Sequence, residues 1–372
     1  MSKLTKYKFS DLYEMSSGIS SSKEQAGHGS PFISFSTVFN NYFLPEELPD
    51  LMDTSLKEQE IFSVKKDDVF ITRTSETVDA LAMSCVAVKD YPKATFSGFV
   101  KRLRPKTTGI VYSKYIAFFL RSKYFRKVLD CNTIMTLRAS FNEDMFSFLY
   151  LYLPDYEEQV RIGDLLYKME MKIRTNNKIN DNLASMAYDI YMHTFFSKKP
   201  NGKLKDILIE ADKSSVQVGE AKQSTGEYPF FTSGSAILKW DIPFINGRNC
   251  FLNTGGNADV KFYVGEAAYS TDTWCISTNN NMSDYLYLLL VSIKPELNQK
   301  FFQGTGLKHL QKPLLKDRPI YIPDFEKLKT FNEQVNPMFN IISENTRENQ
   351  ALITLRDWLL PMLMNGQATI SD

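Results

Sequence analysis

A long internal repeat constrains the fold of this 372-residue chain more than any other feature. Residues 151–191 and 320–360 align without a gap, and each copy opens with a hydrophobic-Pro-Asp-aromatic-Glu junction. Identical pairs in the two copies include Tyr152/Tyr321, Pro154/Pro323, Asp155/Asp324, Glu157/Glu326, Met169/Met338, Ile173/Ile342, Asn176/Asn345, Asn180/Asn349 and Leu183/Leu352. The period is far longer than the roughly 20–50 residues of a solenoid repeat. It predicts two similar halves, each a globular part followed by a long helix.

The repeat divides the chain into four segments of two kinds. Residues 1–150 and 198–319 carry short runs rich in Val, Ile, Phe and Thr, which predict strands. Residues 151–197 and 320–372 hold the long helices, the second with a C-terminal tail. We therefore expect an α+β protein in which two similar, small, twisted β-rich domains with helices are joined by two long helices.

Local signals place elements inside these segments. The predicted strand runs are 31–39, 67–74, 84–90 and 96–105 in the first globular part, and 227–234, 249–256, 261–270 and 273–278 in the second. A helix is predicted from Ser113, as its N-cap, to about Leu129, and Ser283 is predicted to cap the corresponding second helix. Asp155 is predicted to cap the first long helix. Pro337 is predicted to kink the second long helix or to mark its effective start.

Both long segments carry a heptad seam, in which successive seam positions are spaced alternately by four and three residues. The seam reads Ile162, Leu166, Met169, Ile173, Asn176, Asn180, Leu183, Ala187 and Ile190 in the first copy, and Phe331, Val335, Met338, Ile342, Asn345, Asn349, Leu352, Arg356 and Leu359 in the second. Antiparallel pairing about a pseudo-twofold axis would place Asn176 opposite Asn349 and Asn180 opposite Asn345. Because buried asparagines fix register at a cost in stability, we predict an intramolecular antiparallel coiled coil. The alternative is that each helix packs only on its own globular domain.

No catalytic, cofactor or metal site can be assembled from the sequence. A GxxxxGK[ST] phosphate-binding loop is absent, and the four cysteines and three histidines are scattered, which argues against a zinc site or a disulfide framework. Asp155 and Asp324 are better explained as helix caps than as nuclease carboxylates. No run reaches the ~18 apolar residues of a membrane span. We expect no cofactor and no membrane partner, and a cytoplasmic location by default.

Binding is the function that the polar residues favour. Each globular part carries a formal charge of +3, whereas the repeated segments are acidic, so an anionic partner should meet the globular parts. Cationic and amide side chains on loops can reach phosphates and base edges. The candidate DNA-binding residues are Arg73, Thr74, Ser75, Lys101, Arg102, Arg104 and Arg138 in the first part, and Asn253, Thr254, Asn257 and Lys308 in the second. The alternative for any one of them is an ordinary solvated surface side chain.

Over essentially its whole length the chain resembles the specificity subunits of type I restriction–modification systems. The features that carry the resemblance are the order globular–helix–globular–helix, the doubled Pro-Asp-aromatic-Glu junction, and the GTGLKHL run before the second junction. The resemblance implies two target recognition domains, each reading one half of a bipartite, asymmetric site in double-stranded DNA. It also implies a helical spacer that sets the gap between half-sites and docks modification (methyltransferase) subunits, usually two.

Further expectations come from the same resemblance. Restriction subunits with an ATP-dependent motor and nuclease would join the assembly, and the specificity subunit itself would catalyse nothing. Two other classes stay open at this point. One is the DNA-recognition subunit of a related type II-like modification enzyme, and the other is a scaffold whose domains bind proteins rather than DNA.

Overall fold

The computed structural model describes residues 3–75, 80–132 and 139–370. The chain divides into two compact units, of which unit 1 contains residues 1–171 and 352–372, and unit 2 contains residues 172–351. Both division points fall inside the long helices, so each helix contributes one end to each unit.

Unit 1 is built on a four-stranded antiparallel sheet and a three-stranded mixed sheet. Its strands are β1 (Thr5–Lys8), β2 (Tyr13–Ser17), β3 (Ala26–Ile33), β4 (Asp50–Met52), β5 (Val69–Thr72), β6 (Thr74–Ser75), β7 (Ser84–Val86), β8 (Thr95–Phe96), β9 (Val100–Pro105), β10 (Ala139–Ser140) and β11 (Tyr150–Leu153). The larger sheet has the order β2-β9-β5-β7, and the smaller has the order β4-β3-β8, with β3 antiparallel to β4 and parallel to β8. β1 pairs with β11, and β6 pairs with β10.

Strand β5 lies at the centre of unit 1 because both of its faces are covered. Side chains alternate across a strand: Val69 and Ile71 join one apolar cluster, whereas Phe70 joins a second cluster with Ile33 and Phe96. The run is therefore buried at every position rather than at alternate ones. This explains why its sequence reads as continuously apolar.

Unit 2 repeats the topology of unit 1. Its strands are β12 (Gly202–Lys203), β13 (Leu208–Glu210), β14 (Tyr228–Phe231), β15 (Ile237–Trp240), β16 (Arg248–Asn253), β17 (Val260–Val264), β18 (Ala268–Tyr269), β19 (Thr273–Thr278), β20 (Phe302–Gln303), β21 (His309–Leu310) and β22 (Pro319–Ile320). The sheet β13-β19-β16-β17 matches β2-β9-β5-β7 strand for strand in chain order, and β15-β14-β18 matches β4-β3-β8. The duplication thus extends through the globular parts, where the sequences diverge.

The helices correct several local predictions. They are α1 (Phe9–Leu12), α2 (Phe35–Asn40), α3 (Leu56–Ile61), α4 (Ser113–Phe119), α5 (Lys123–Asn132), α6 (Glu143–Phe148), α7 (Tyr156–Tyr191), α8 (Val218–Ala221), α9 (Ser283–Ser292), α10 (Lys294–Glu296), α11 (Lys312–Lys316) and α12 (Phe325–Met364). The predicted strand 31–39 ends at Ile33, because Ser34 accepts a hydrogen bond from the Thr37 amide at 3.2 Å and caps α2.

The two serines predicted as N-caps are instead the first helical residues. The Ser113 hydroxyl donates to Asp67 Oδ1 at 2.5 Å, and the Ser283 hydroxyl accepts from the Thr278 amide at 3.2 Å. The predicted helix from Ser113 to about Leu129 is also broken at 120–122, between α4 and α5. In each case the hydroxyl that the local pattern assigned to a cap binds a residue outside the helix, Asp67 for Ser113 and Thr278 for Ser283.

The long helices begin where the sequence indicates. Asp155 Oδ1 accepts from the Glu158 amide at 2.8 Å, and Asp324 Oδ1 accepts from the Lys327 amide at 3.0 Å. Pro337 does not mark the start of α12, which runs continuously from Phe325. Buried side chains on both sides of the proline, including Val335 and Phe339, hold this part of the helix against the unit 2 core.

Within unit 2 the two long helices run antiparallel and are joined by paired asparagines. Asn176 Nδ2 donates to Asn349 Oδ1 at 2.9 Å, and Asn345 Nδ2 donates to Asn180 Oδ1 at 2.8 Å. These are the two pairings that the seam predicts. Asn349 also donates to Asn177 Oδ1 at 2.8 Å. Neither helix packs only on its own globular part, so that alternative is wrong for this stretch.

The apolar cores also draw on both helices. Unit 1 buries Ile162 and Leu166 of α7 together with Leu363 and Met364 of α12. Unit 2 buries another set, Ala187 and Tyr191 of α7 with Phe331, Val335 and Phe339 of α12. Each unit therefore completes its core with the start of one long helix and the end of the other.

Replacing Asn176 by leucine is expected to lower the free energy of unfolding by roughly 1–3 kcal/mol, because the buried Asn349 amide loses a partner. The double variant Asn176→Leu/Asn349→Leu should recover part of that loss, since both polar groups of the pair are then replaced by apolar ones. The bonds from Asn176 to Glu348 and from Asn349 to Asn177 stay lost. Urea unfolding of the wild type, both single variants and the double variant gives the coupling. Strictly additive losses would contradict the paired arrangement.

Candidate nucleic-acid interface

In unit 2, two loops meet where strand β16 ends. We call residues 253–257 and 303–309 the unit 2 loop pair. The Gly256 amide donates to the Lys308 carbonyl at 2.9 Å, and the Leu310 amide donates to the Thr254 carbonyl at 2.9 Å. Residues 303–309 are exposed throughout. The structure thus brings together two loops that the sequence marked as separate candidates.

The four candidate residues of unit 2 have different surroundings. Asn253 is buried and shapes its own loop, donating to the Gly255 carbonyl at 2.7 Å and accepting from the Asp259 amide at 2.7 Å. Thr254 donates its hydroxyl to the Asp272 carbonyl at 3.0 Å. Asn257 and Lys308 are exposed. Asn253 and Thr254 therefore support the loop, and Asn257 and Lys308 are available to a ligand.

Unit 1 has the same arrangement at the end of β5. We call residues 73–75 and 139–141 the unit 1 loop pair. The Phe141 amide donates to the Arg73 carbonyl at 2.8 Å, and Thr74 and Ser75 pair with Ser140 and Ala139. Arg73 is exposed, whereas Thr74 and Ser75 are half-buried. Arg138, also a candidate, lies outside the described residues.

Two cations of the basic cluster of β9, Lys101 and Arg102, are buried in unit 1, and the third, Arg104, is half-buried. Lys101 is buried and donates to Ser17 Oγ at 2.8 Å. Arg102 is buried and donates to the Ser63 carbonyl at 2.6 Å. Arg104 grips the buried Asp68 carboxylate with two bonds of 2.7 and 2.6 Å. These contacts favour a structural role for all three cations, and their contact with DNA stays a prediction.

The electrostatics of the two arginines are consistent with that placement. Burial lowers the pKa of Arg102, and the neighbouring Arg104 lowers it further. The hydrogen bonds to Asp68 raise the pKa of Arg104. A buried carboxylate requires such a partner, so Asp68 accounts for Arg104 without any external anion.

Two exposed apolar side chains at these loops are not distinguished by any sequence pattern. Leu307 in the unit 2 loop pair is 65% exposed. Phe99, whose carbonyl accepts from the Arg73 amide at 2.9 Å, is 66% exposed. Phe99 lies within a run predicted as strand, and nothing in that run separates an outward from an inward phenylalanine.

Arg248 ties the β16 strand of unit 2 to two helices. Its guanidinium donates to both carboxylate oxygens of Asp284 at 2.6 and 2.7 Å, and so holds α9. It also donates to Asn340 Oδ1 at 2.7 Å and to the Asn336 carbonyl at 3.1 Å on α12. Burial raises the pKa of Asp284, and the hydrogen-bonded Arg248 opposes that rise. One side chain thus fixes the strand that leads into the unit 2 loop pair relative to the long helix.

The described parts of the chain hold neither a cluster of potential metal ligands nor a membrane-spanning helix. Among residues 3–75, 80–132 and 139–370, no group of three or more His, Cys, Asp and Glu side chains is placed to hold a metal ion. In the same described ranges, no helix combines the length and apolar character needed to cross a membrane.

Comparison with known proteins points to one family. The family model described as "Type I restriction modification DNA specificity domain" matches residues 1–185 and 197–352. The specificity subunit of the type I restriction enzyme MjaIX from Methanocaldococcus jannaschii is 20% identical, covering 98% of this chain and 93% of the relative. The HindI specificity subunit from Haemophilus influenzae is 21% identical, covering 90% and 94%.

A solved structure has the same fold. The crystal structure of a type I restriction–modification S subunit from M. genitalium superposes with a TM-score of 0.66 at 12% identity, covering 97% of this chain and 96% of that one. The likeness spans both units and both long helices. Because the family model matches nearly the whole chain in two stretches, this protein belongs to the type I restriction–modification DNA specificity family.

Proposed function

We propose that this chain is the DNA-recognition subunit of a type I restriction–modification complex. Segments 1–150 and 198–319 act as its target recognition domains, and each reads one half of an asymmetric, bipartite site in double-stranded DNA. The observation that carries the proposal is the duplicated loop pair. A loop pair follows the matching strand in both units. Its exposed side chains differ, being Arg73 in unit 1 and Asn257 and Lys308 in unit 2.

The exposed side chains suit two kinds of contact. Arg73 and Lys308 can pair with phosphates or with guanine edges, and Asn257 can pair with an adenine edge. Because the two sets differ, the two half-sites differ in sequence. The small net charge of each globular part implies that the chain alone binds DNA weakly and depends on partner subunits for phosphate contacts.

The long helices form the spacer. Segments 151–197 and 320–372 set the gap between half-sites and present a docking surface for two modification subunits, which carry out methylation. The pairs Asn176/Asn349 and Asn180/Asn345 set the register, since amides facing each other across a seam disfavour any shifted pairing. ATP-dependent restriction subunits join this assembly, and the chain itself supplies recognition rather than catalysis. A cytoplasmic location follows from the DNA substrate.

Methylome sequencing of cells that carry this chain with its cognate methyltransferase tests the proposal. We expect one asymmetric, bipartite methylated motif. Replacing residues 1–150 with the corresponding segment of another specificity subunit should change one half of the motif and leave the other half and the gap intact. A control variant, Lys199→Ala, alters an exposed lysine that belongs to neither loop pair and should leave the motif unchanged. A continuous motif, or a change in both halves, would contradict the proposal that each recognition domain reads one half-site.

A further inference from the structure

Phe99 is held in an exposed position by its backbone. It forms the turn between β8 and β9, and its side chain is 66% exposed. Its amide donates to Ser97 Oγ at 3.2 Å, and its carbonyl accepts from the Arg73 amide at 2.9 Å. Both backbone polar groups of this residue are therefore satisfied, so the backbone that carries the exposed ring is fixed.

The residues around the turn fix it further. The Gly98 amide donates to the Ile19 carbonyl at 2.6 Å, and the Val100 amide donates to the Ser97 carbonyl at 2.9 Å. A Cβ atom at Gly98 would lie 2.9 Å from the Ile19 oxygen, so this close approach requires glycine. A backbone that is already fixed loses little further conformational freedom when the side chain that it carries binds a partner.

Phe99 lies beside the unit 1 loop pair, where the proposed function places contacts with bases. β5 and β9 are antiparallel neighbours, with Thr72 opposite Val100, so the residue before β9 lies beside the loop that follows β5. Phe99 therefore lies next to the exposed Arg73 of the unit 1 loop pair. An isolated exposed phenylalanine needs no explanation by itself. Phe99 does need an explanation, because its backbone is fixed and it lies beside the candidate DNA-binding loop.

The equivalent position in unit 2 carries a different chemistry. There the Thr254 amide donates to the Asp272 carbonyl at 3.0 Å, as the Arg73 amide does to Phe99, and Asn253 lies opposite Thr273. Asp272 is exposed. The backbone of this position is thus kept in both units, whereas the side chain changes from an aromatic ring to a carboxylate. Conserved geometry with exchanged chemistry is expected where two domains read different bases.

We propose that Phe99 is a specificity-determining residue that contacts the C5-methyl group of a thymine in the half-site read by unit 1. The inference rests on the proposed function. Among base edges in the major groove, the thymine methyl is the apolar group that a phenylalanine can recognise. Arg73 beside it supplies the cation that pairs with a neighbouring phosphate or guanine.

Thymine-to-uracil substitution tests this contact, because uracil lacks only the methyl group. Each thymine of the unit 1 half-site is replaced in turn, and binding is measured with the complex of this chain and its modification subunits. At one thymine, uracil should weaken wild-type binding roughly four- to tenfold, as expected for one buried methyl group. Phe99→Ala should bind the thymine site more weakly by a similar factor and be indifferent to uracil at that position.

The control is Phe148→Ala, which removes another phenylalanine of unit 1, 74% exposed at the end of α6. It should retain the wild-type response to uracil. The proposal is overturned if Phe99→Ala responds to uracil as the wild type does, or if the unit 1 half-site contains no thymine on either strand. If the wild-type complex shows no sequence-specific binding at all, the proposed DNA-recognition function fails together with the Phe99 contact. If specific binding is retained, only the Phe99 contact can fail, so the two results are distinguishable.

Discussion

Replacing Arg248 by methionine is expected to lower the free energy of unfolding of unit 2 by roughly 3–5 kcal/mol. The substitution leaves the Asp284 carboxylate, which is 1% exposed, without its charged partner, and an unpaired buried charge is far more costly than the pair itself is stabilising. Calorimetry should show the transition of unit 2 shifted down by on the order of 10 °C. Because Arg248 also holds α12, we expect weaker methylation at the half-site read by unit 2.

Two further variants isolate the cause. Adding Asp284→Asn to Arg248→Met should recover part of the loss, because a neutral amide is less costly to bury than a carboxylate. Arg347→Met is the matched control. It removes hydrogen bonds of 3.0 and 3.1 Å from α12 to Tyr263 and Val264 but leaves no buried charge, so about 1 kcal/mol is expected. Equal losses for Arg248→Met and Arg347→Met would show that the carboxylate is not the source.

The same variant should depend on pH in a definite direction. Burial already raises the pKa of Asp284 in the native protein, and removing Arg248 raises it further. Protonation of Asp284 removes the unpaired charge. The loss in free energy of unfolding caused by Arg248→Met is therefore greatest at neutral pH and becomes smaller as the pH falls through that raised pKa.

Inserting one heptad into each long helix, after Arg174 and after Gln350, is expected to lengthen the gap in the methylated motif by about three base pairs. Seven residues add about 10 Å at 1.5 Å per residue, and B-DNA rises 3.4 Å per base pair. Whole heptads keep the seam facing its partner. Both insertions lie close to the points where the chain divides into its two units, so the globular parts are left intact.

The control for this experiment inserts the heptad in α7 alone. Seam positions on the two helices then no longer match, so we expect loss of stability and of methylation rather than a longer gap. Methylome sequencing reads both outcomes. An unchanged gap with the double insertion would refute the spacer role of the helices, even if both half-sites were still recognised.

Sequence patterns predicted best what depends on neighbours along the chain. Asp155 as a cap and the pairing of Asn176 with Asn349 follow from local spacing and from the symmetry of the seam, and the structure has both contacts. The duplicated topology also followed from the repeat. Membership in a specificity family is likewise recognisable from the residues alone, since the doubled junction marks both halves of the chain.

What the sequence could not predict depends on tertiary contacts that no local pattern contains. Arg104 looks like a surface cation until Asp68 is placed beneath it, and Ser113 looks like a cap until Asp67 takes its hydroxyl. Pro337 would shorten an isolated helix, but the core of unit 2 holds α12 through it. Exposure is equally invisible from sequence, which is why Phe99 was not distinguished from its buried neighbours.

The division of the chain has a consequence for its synthesis on the ribosome. Unit 2 is continuous from Lys172 to Ala351, whereas the core of unit 1 needs Leu363 and Met364, near the end of the chain. Synthesis of unit 1 therefore begins before that of unit 2 and ends after it. Unit 2 can fold while the core of unit 1 is still incomplete. A ribosome that stops after Ala351 releases a chain whose first recognition domain lacks part of its core. We therefore expect cellular proteases to degrade the prematurely terminated chain, which would not act as a subunit with half the specificity.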